Sequence, residues 1–224
     1  MKQLAFDFSV ESRRTFDNFI VGRNAELVQR LRELGAPDAG ERFFYLWGLH
    51  GSGRTHLLLA AVARLQATGV RSAYVPIGDE LTEMLHECDA VAVDDVDRLD
   101  RDAEQRLFSL YNALREKRGT LIAAGSVAPM QLRMRADVVT RLGWGLVYEV
   151  HALSDAEKAQ ALADHALQRG FALPAEVSRY LLTHGRRDMP ALVATIDALD
   201  RWSREAKRPV TVPLLRELLA ERDT

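Results

Sequence analysis

Gly48-Leu49-His50-Gly51-Ser52-Gly53-Arg54-Thr55 constrains this chain more than any other stretch. A short apolar run, Phe43-Phe44-Tyr45-Leu46-Trp47, precedes it, and an amphipathic helical pattern follows. Strand, glycine-rich loop and helix in that order are the context of a phosphate-binding P-loop. The glycines let backbone N–H groups close around phosphate oxygens, and the new helix points its positive end at them. Gly48, Gly51, Ser52, Gly53, Arg54, Thr55 and the adjoining His56 are therefore the candidate nucleotide contacts, with the Thr55 hydroxyl available to Mg2+. Arginine stands where the motif has lysine. A guanidinium keeps the charge but not the compact shape of an ammonium, so phosphate binding is expected to survive and hydrolysis to be impaired. The competing explanation is a glycine-rich turn that holds no ligand.

Around the loop, strands are expected at 43–47, 72–76, 90–93, 120–124 and 146–150. They alternate with helices at 24–34, which Asn24 would N-cap, and at 54–68, 79–87, 102–117 and 135–142. Ala90-Val91-Ala92-Val93 is apolar throughout, as a strand buried on both faces should be. Strands alternating with helices predict an α/β fold with a parallel sheet. After residue 151 the pattern is helical only, at 154–169, 174–184, 189–206 and 213–221, with Ser154 and Glu157 spaced as a capping box. The organisation expected is an N-terminal arm (1–14), an α/β nucleotide-binding domain (15–150) and a small all-α domain (151–224).

The 224 residues are 47% hydrophobic and 28% charged, with a net charge of −2, which gives no global basic field to draw the chain to nucleic acid or membrane. Cys88 is the single cysteine, and neither a signal peptide nor an apolar span is visible. A cytoplasmic protein with no membrane partner is expected. The six histidines show no metal-ligand spacing, so no structural zinc is expected. Trp47, Trp144 and Trp202 read as core or domain-interface residues.

Asp94-Asp95 ends the apolar run at 90–93. A strand that delivers a carboxylate beside a P-loop is a Walker B arrangement, in which Asp94 would hold Mg2+ and Asp95 would orient a water. Asp97 and Asp100 read as a solvated turn. Ser126, after the strand at 120–124, is either a γ-phosphate sensor or an ordinary turn residue. Arg141 ends the helix at 135–142 and precedes Gly143-Trp144-Gly145. Local sequence favours a helix C-terminal cap over a finger projecting into a neighbour's site. In Gln3-Leu4-Ala5-Phe6-Asp7-Phe8 the side chains at 4, 6 and 8 point one way when extended, which suits a docking arm or an edge strand equally.

Taken in order, these residues resemble the ATPase module of DnaA, the bacterial replication initiator of the AAA+ class, from about residue 15 onward. Thr15 to Asn24 looks like the segment that opens that module and walls its adenine pocket, which implies nucleotide contacts at Phe19, Val21 and Gly22. Asp94-Asp95 matches its Walker B, and Arg141 to Leu146 the segment that bears its arginine finger. DnaA continues into a helix-turn-helix domain, whereas this chain stops at Thr224, so origin-specific DNA binding is not expected. The resemblance is greater to Hda-like proteins, short DnaA homologues that inactivate the initiator, with an arginine in the P-loop and a clamp-binding peptide at the N-terminus. Gln3, Leu4, Phe6 and Phe8 are similar to that peptide. The resemblance implies ADP or ATP with Mg2+, weak or no intrinsic ATPase, and Arg141 acting catalytically in trans on DnaA-bound ATP. It implies DnaA and the sliding clamp (the polymerase β subunit) as partners and DNA contact only through the clamp; AAA+ modules often assemble head-to-tail, which leaves a monomer and a homo-oligomer both open. Pro190 falls where the family places a sensor arginine, with Arg187 nearby as a substitute. A DnaA-related ATPase acting as helicase loader, and a nucleotide-free adaptor, are the alternatives.

Overall fold

The computed structural model describes residues 14–36, 40–76, 78–185 and 188–222. Its first unit is built on a five-stranded parallel sheet in the order β2-β3-β4-β1-β5. The strands are β1 (Phe43–Trp47), β2 (Ser72–Val75), β3 (Ala90–Val93), β4 (Thr120–Gly125) and β5 (Leu146–Glu149). The helices between them are α1 (Ala25–Arg32), α2 (Arg54–Ala67), α3 (Arg101–Glu116) and α4 (Ala136–Leu142). The segment expected as a helix over 79–87 contains only a 3-10 turn, Glu83–Glu87.

Side chains on a strand alternate between faces, and here both faces are apolar. Phe44, Leu46, Ala90, Ala92, Ile122 and Ala124 join α1 and α2 in one core cluster. Tyr45, Val91, Val93, Leu121 and Ala123 join α3 and α4 in another. Small residues meet on the first face, where Ala60 and Ala61 of α2 lie in the same cluster as Ala90, Ala92 and Ala124. Leu57, Leu58 and Leu65 are fully buried beside them. Truncating a buried leucine of this kind costs about 2–5 kcal/mol.

The sheet order leaves β1 between β4 and β5, so the chain departs from β1 toward one edge and later crosses back over it. Ligands of open α/β sheets bind outside the carboxyl ends of strands at such a switch point. Three segments converge there: the P-loop after β1, Asp94 after β3 and Ser126 after β4.

The second unit begins at Leu153. It comprises α5 (Asp155–Gln168), α6 (Ala175–His184), α7 (Met189–Ala206) and α8 (Val212–Arg222) around a core that includes Leu162, Leu181, Leu192, Ile196, Leu199 and Leu215. The capping box is formed: the Glu157 amide donates to Ser154 Oγ at 3.2 Å, and the Ser154 amide donates to the Glu157 carboxylate at 2.7 Å. Pro190 sits in the first turn of α7, behind the capping Asp188, whose carboxylate accepts from the Ala191 amide at 3.0 Å. Among the described residues no helix is long and apolar enough to cross a membrane.

Candidate functional site

Strand parity decides which way the acidic end of β3 points. Tyr74, Ala92 and Asp94 share the face of the sheet that carries α2. The buried Asp94 therefore meets the start of α2: the Thr55 hydroxyl donates to Asp94 Oδ2 at 2.6 Å. Tyr74, unforeseen from sequence, donates its hydroxyl to the same oxygen at 3.0 Å. Burial, and then the neighbouring Asp94 charge, push the Tyr74 phenol well above its ordinary range. Asp94 Oδ1 accepts the amide of Asp95 at 3.0 Å.

Asp95 turns away into the left-handed region, with φ 42°, which aspartate tolerates better than most residues. Its carboxylate meets Arg54, whose Nη2 lies 3.1 Å from Asp95 Oδ1. Only 10% of the Arg54 side chain and 26% of that of Asp95 are exposed. The Asp95 carboxyl nevertheless titrates above its ordinary value, first because it is buried and then because Asp94 repels it; Arg54 offsets only part of this. The arginine of the P-loop thus faces the aspartate assigned to orient water. Arg54 Nη1 and Ser52 Oγ are buried with no hydrogen-bond partner among the described residues. Two orphaned polar groups in one glycine-rich loop suit an anion that would satisfy both.

The loop itself requires its glycines. Gly53 has φ 102°, and a Cβ there would lie 2.8 Å from Phe19 Cε2. Gly51 has φ 79°, and a Cβ on Gly48 would strike the Val150 carbonyl oxygen at 2.5 Å. Phe19 also packs against His56, with ring centroids 5.2 Å apart. His56 Nε2 lies 2.8 Å from the Thr15 carbonyl oxygen, and burial holds the His56 pKa below its ordinary value. The structure thus brings Phe19, Gly53 and His56 together. Val21 packs against the α1–α2 core, and Gly22 is left-handed with φ 49°. This set can hold a polyphosphate through loop amides, Ser52 and Arg54, and an associated Mg2+ through Thr55 and Asp94, with water and phosphate completing its oxygen shell.

Several expectations need correction. Asp97 is not simply a solvated turn residue: it accepts from the Ser126 amide at 3.1 Å and from the Ser126 hydroxyl at 2.5 Å. The serine considered as a sensor is therefore engaged by Asp97. Asp100 caps α3 by accepting from the Ala103 amide at 2.8 Å. Asn24 stands at the start of α1 but does not cap it with its side chain. It pairs instead with the backbone of His151, donating at 2.9 Å and accepting at 2.8 Å. Trp144 is not a core residue, being 54% exposed.

Arg141 is in the last turn of α4. Its Nε donates to Asn112 Oδ1 at 3.1 Å, and its Cζ lies 4.2 Å from the Phe108 ring centroid and 5.3 Å from that of Trp144. An open groove of about 910 Å³ lies elsewhere, against the turn at 83–87 and α3, and none of the predicted site residues lines it. Gln3, Leu4, Phe6, Phe8 and Arg187 lie outside the described residues.

Several solved structures share this fold. Domain III of the Thermotoga maritima replication initiation protein DnaA has a TM-score of 0.75 and 19% identity, covering 94% of this chain and 97% of that one. AMPPCP-bound DnaA from Aquifex aeolicus gives 0.72 and 22%, covering 96% and 71%. A Thermotoga maritima RuvB mutant gives 0.65 and 14%, covering 91% and 71%. These likenesses are of fold: a parallel sheet followed by a helical unit. Residues 155–219 match the family model described as Hda, lid domain. Residues 155–219 thus carry a lid of the Hda type, and the chain shares its fold with DnaA domains.

Proposed function

We propose that this chain is a negative regulator of bacterial replication initiation. It docks on the DNA-loaded sliding clamp through Gln3, Leu4, Phe6 and Phe8 and stimulates hydrolysis of DnaA-bound ATP by inserting Arg141 into the partner's site. The match of 155–219 to the Hda lid family carries the reading of a DnaA-related replication regulator. Arg141 supports the finer one. No carboxylate among the described residues pairs with it, and an amide and aromatic faces hold it at a helix end. A guanidinium kept charged and oriented is what a finger needs to stabilise a transferring phosphoryl group.

The chain's own P-loop plays a different part. Ser52, Arg54, Thr55 and Asp94 bind ADP or ATP with Mg2+, while Arg54 occupies the Asp95 carboxylate. The bound nucleotide sets the shape of the module, and intrinsic hydrolysis is weak. The ATP that is hydrolysed belongs to DnaA, and DNA is contacted only through the clamp.

Replacing Gln3, Leu4 and Phe8 together by alanine tests the docking arm. Clamp binding by calorimetry is expected to vanish with the thermal midpoint unchanged, and clamp-dependent loss of DnaA-bound ATP should vanish with it. Unchanged clamp binding would sink the docking role. Vigorous hydrolysis of the chain's own ATP in the same assay would point to a loader ATPase instead.

A further inference from the structure

We infer that Asn112 is the positioning residue for Arg141, a role that rests on the trans-acting reading of Arg141 proposed above. Phe108, Tyr111, Asn112 and Arg115 recur at helical spacing on α3, the helix that packs against α4. A single face of α3 therefore receives the Arg141 guanidinium. Asn112 Oδ1 takes the Nε hydrogen at 3.1 Å. The Phe108 ring centroid lies 4.2 Å from Arg141 Cζ, and the Tyr111 and Trp144 centroids at 5.6 and 5.3 Å. Arg115 stands on the Trp144 ring as well, at 5.0 Å.

The chemistry of this cage is selective. An amide oxygen and aromatic faces attract a guanidinium without cancelling its charge. A carboxylate in the same place would make a charge-assisted pair and hold the group back. With Nε fixed, the two terminal nitrogens are left to act as a fork, and neither donates to another group among the described residues. A long side chain ordered before encounter loses less freedom when it enters a partner's site. Asn112 thus supplies direction, while Arg141 supplies charge. Asn112 touches no reacting atom itself.

The test uses the full chain, DnaA carrying labelled ATP, and clamp loaded on DNA. Asn112→Ala is expected to lower the maximal rate of DnaA-bound ATP hydrolysis about tenfold, as one lost orienting hydrogen bond would. The chain concentration giving half-maximal rate should not move. Asn112→Asp should lower the rate further while leaving the thermal midpoint equal or higher, which a purely structural role does not predict. Independently of any partner, the Arg141 Nε–H proton should exchange slowly with solvent in the native chain and quickly in Asn112→Ala. A wild-type rate and unchanged exchange in Asn112→Ala, beside an inactive Arg141→Ala, would overturn the positioning role alone. Full stimulation by Arg141→Ala would overturn the trans-acting reading and this role with it.

Discussion

Two arginines in the first unit are held in opposite ways. Arg54 opens α2 deep in the P-loop and faces the Asp95 carboxylate at 3.1 Å. Arg141 closes α4, partly buried, and faces an amide and aromatic rings with no carboxylate partner among the described residues. The difference teaches what surroundings do to one chemical group. A carboxylate neutralises a guanidinium and engages itself in return, whereas an amide and π faces aim it and leave its charge available. The first environment suits a site that binds nucleotide without turning it over. The second suits a site that acts on a partner.

The sharpest way to break this contrast is Arg141→Ala, which should reduce stimulation of DnaA-bound ATP hydrolysis on the order of 10³-fold while nucleotide binding by the chain itself stays intact. Retained stimulation would place the finger elsewhere. Next in size is Arg54→Met. It leaves Asp95 without its cation and should cost about 2 kcal/mol at neutral pH, a figure reduced from that of fully buried pairs because Asp95 is partly exposed. The Asp95 carboxyl already titrates high. A group whose folded pKa is raised favours the folded state most at low pH and loses that contribution as pH rises. The Arg54→Met defect should therefore shrink when denaturation is repeated near pH 5; a constant defect would disconnect Arg54 from Asp95.

Asp95→Asn probes the same pair from the other side. Arg54 then keeps its full charge for a ligand, and ADP affinity by calorimetry should rise, on the order of tenfold at most for one released charge pair. Weaker binding would mean that Asp95 itself serves the nucleotide. The smallest expected effect is on pH dependence. His56 favours its neutral form because it is buried. Its contribution is complete above the unfolded value of about 6.5 and is lost as pH falls through the depressed folded value. Between pH 7.5 and 5.5 the P-loop unit should lose stability, and His56→Gln should flatten that slope. The Arg141 cage contains no side chain that titrates in this range, so Arg141 Nε–H protection should persist across it.

Much of the fold was legible because strand parity and helix period are local. Phe43–Trp47 appears as read, and the capping box at Ser154 and Glu157 forms. Asp94 reaches Thr55 because the P-loop and the end of β3 have characteristic spacings and neighbours in the sheet. What was not legible depended on long-range partners. Nothing local in Tyr74 announces that its hydroxyl meets Asp94. Asp97 reads as a turn residue until β4 places Ser126 beside it. Asn24 looks like a helix cap, yet its side chain finds His151, far away in sequence. Asn112 is one polar position on an amphipathic helix until α4 packs against it. The P-loop arginine was visible as a substitution, but its pairing with Asp95 required the left-handed turn after Asp94.

Single-turnover conversion of DnaA-bound ATP to ADP, with the native chain and with Arg141→Ala, each with and without clamp loaded on DNA, tests the trans-acting role of Arg141. Conversion should be rapid only with the native chain and loaded clamp together. Clamp-independent conversion, or equal conversion with Arg141→Ala, would contradict it.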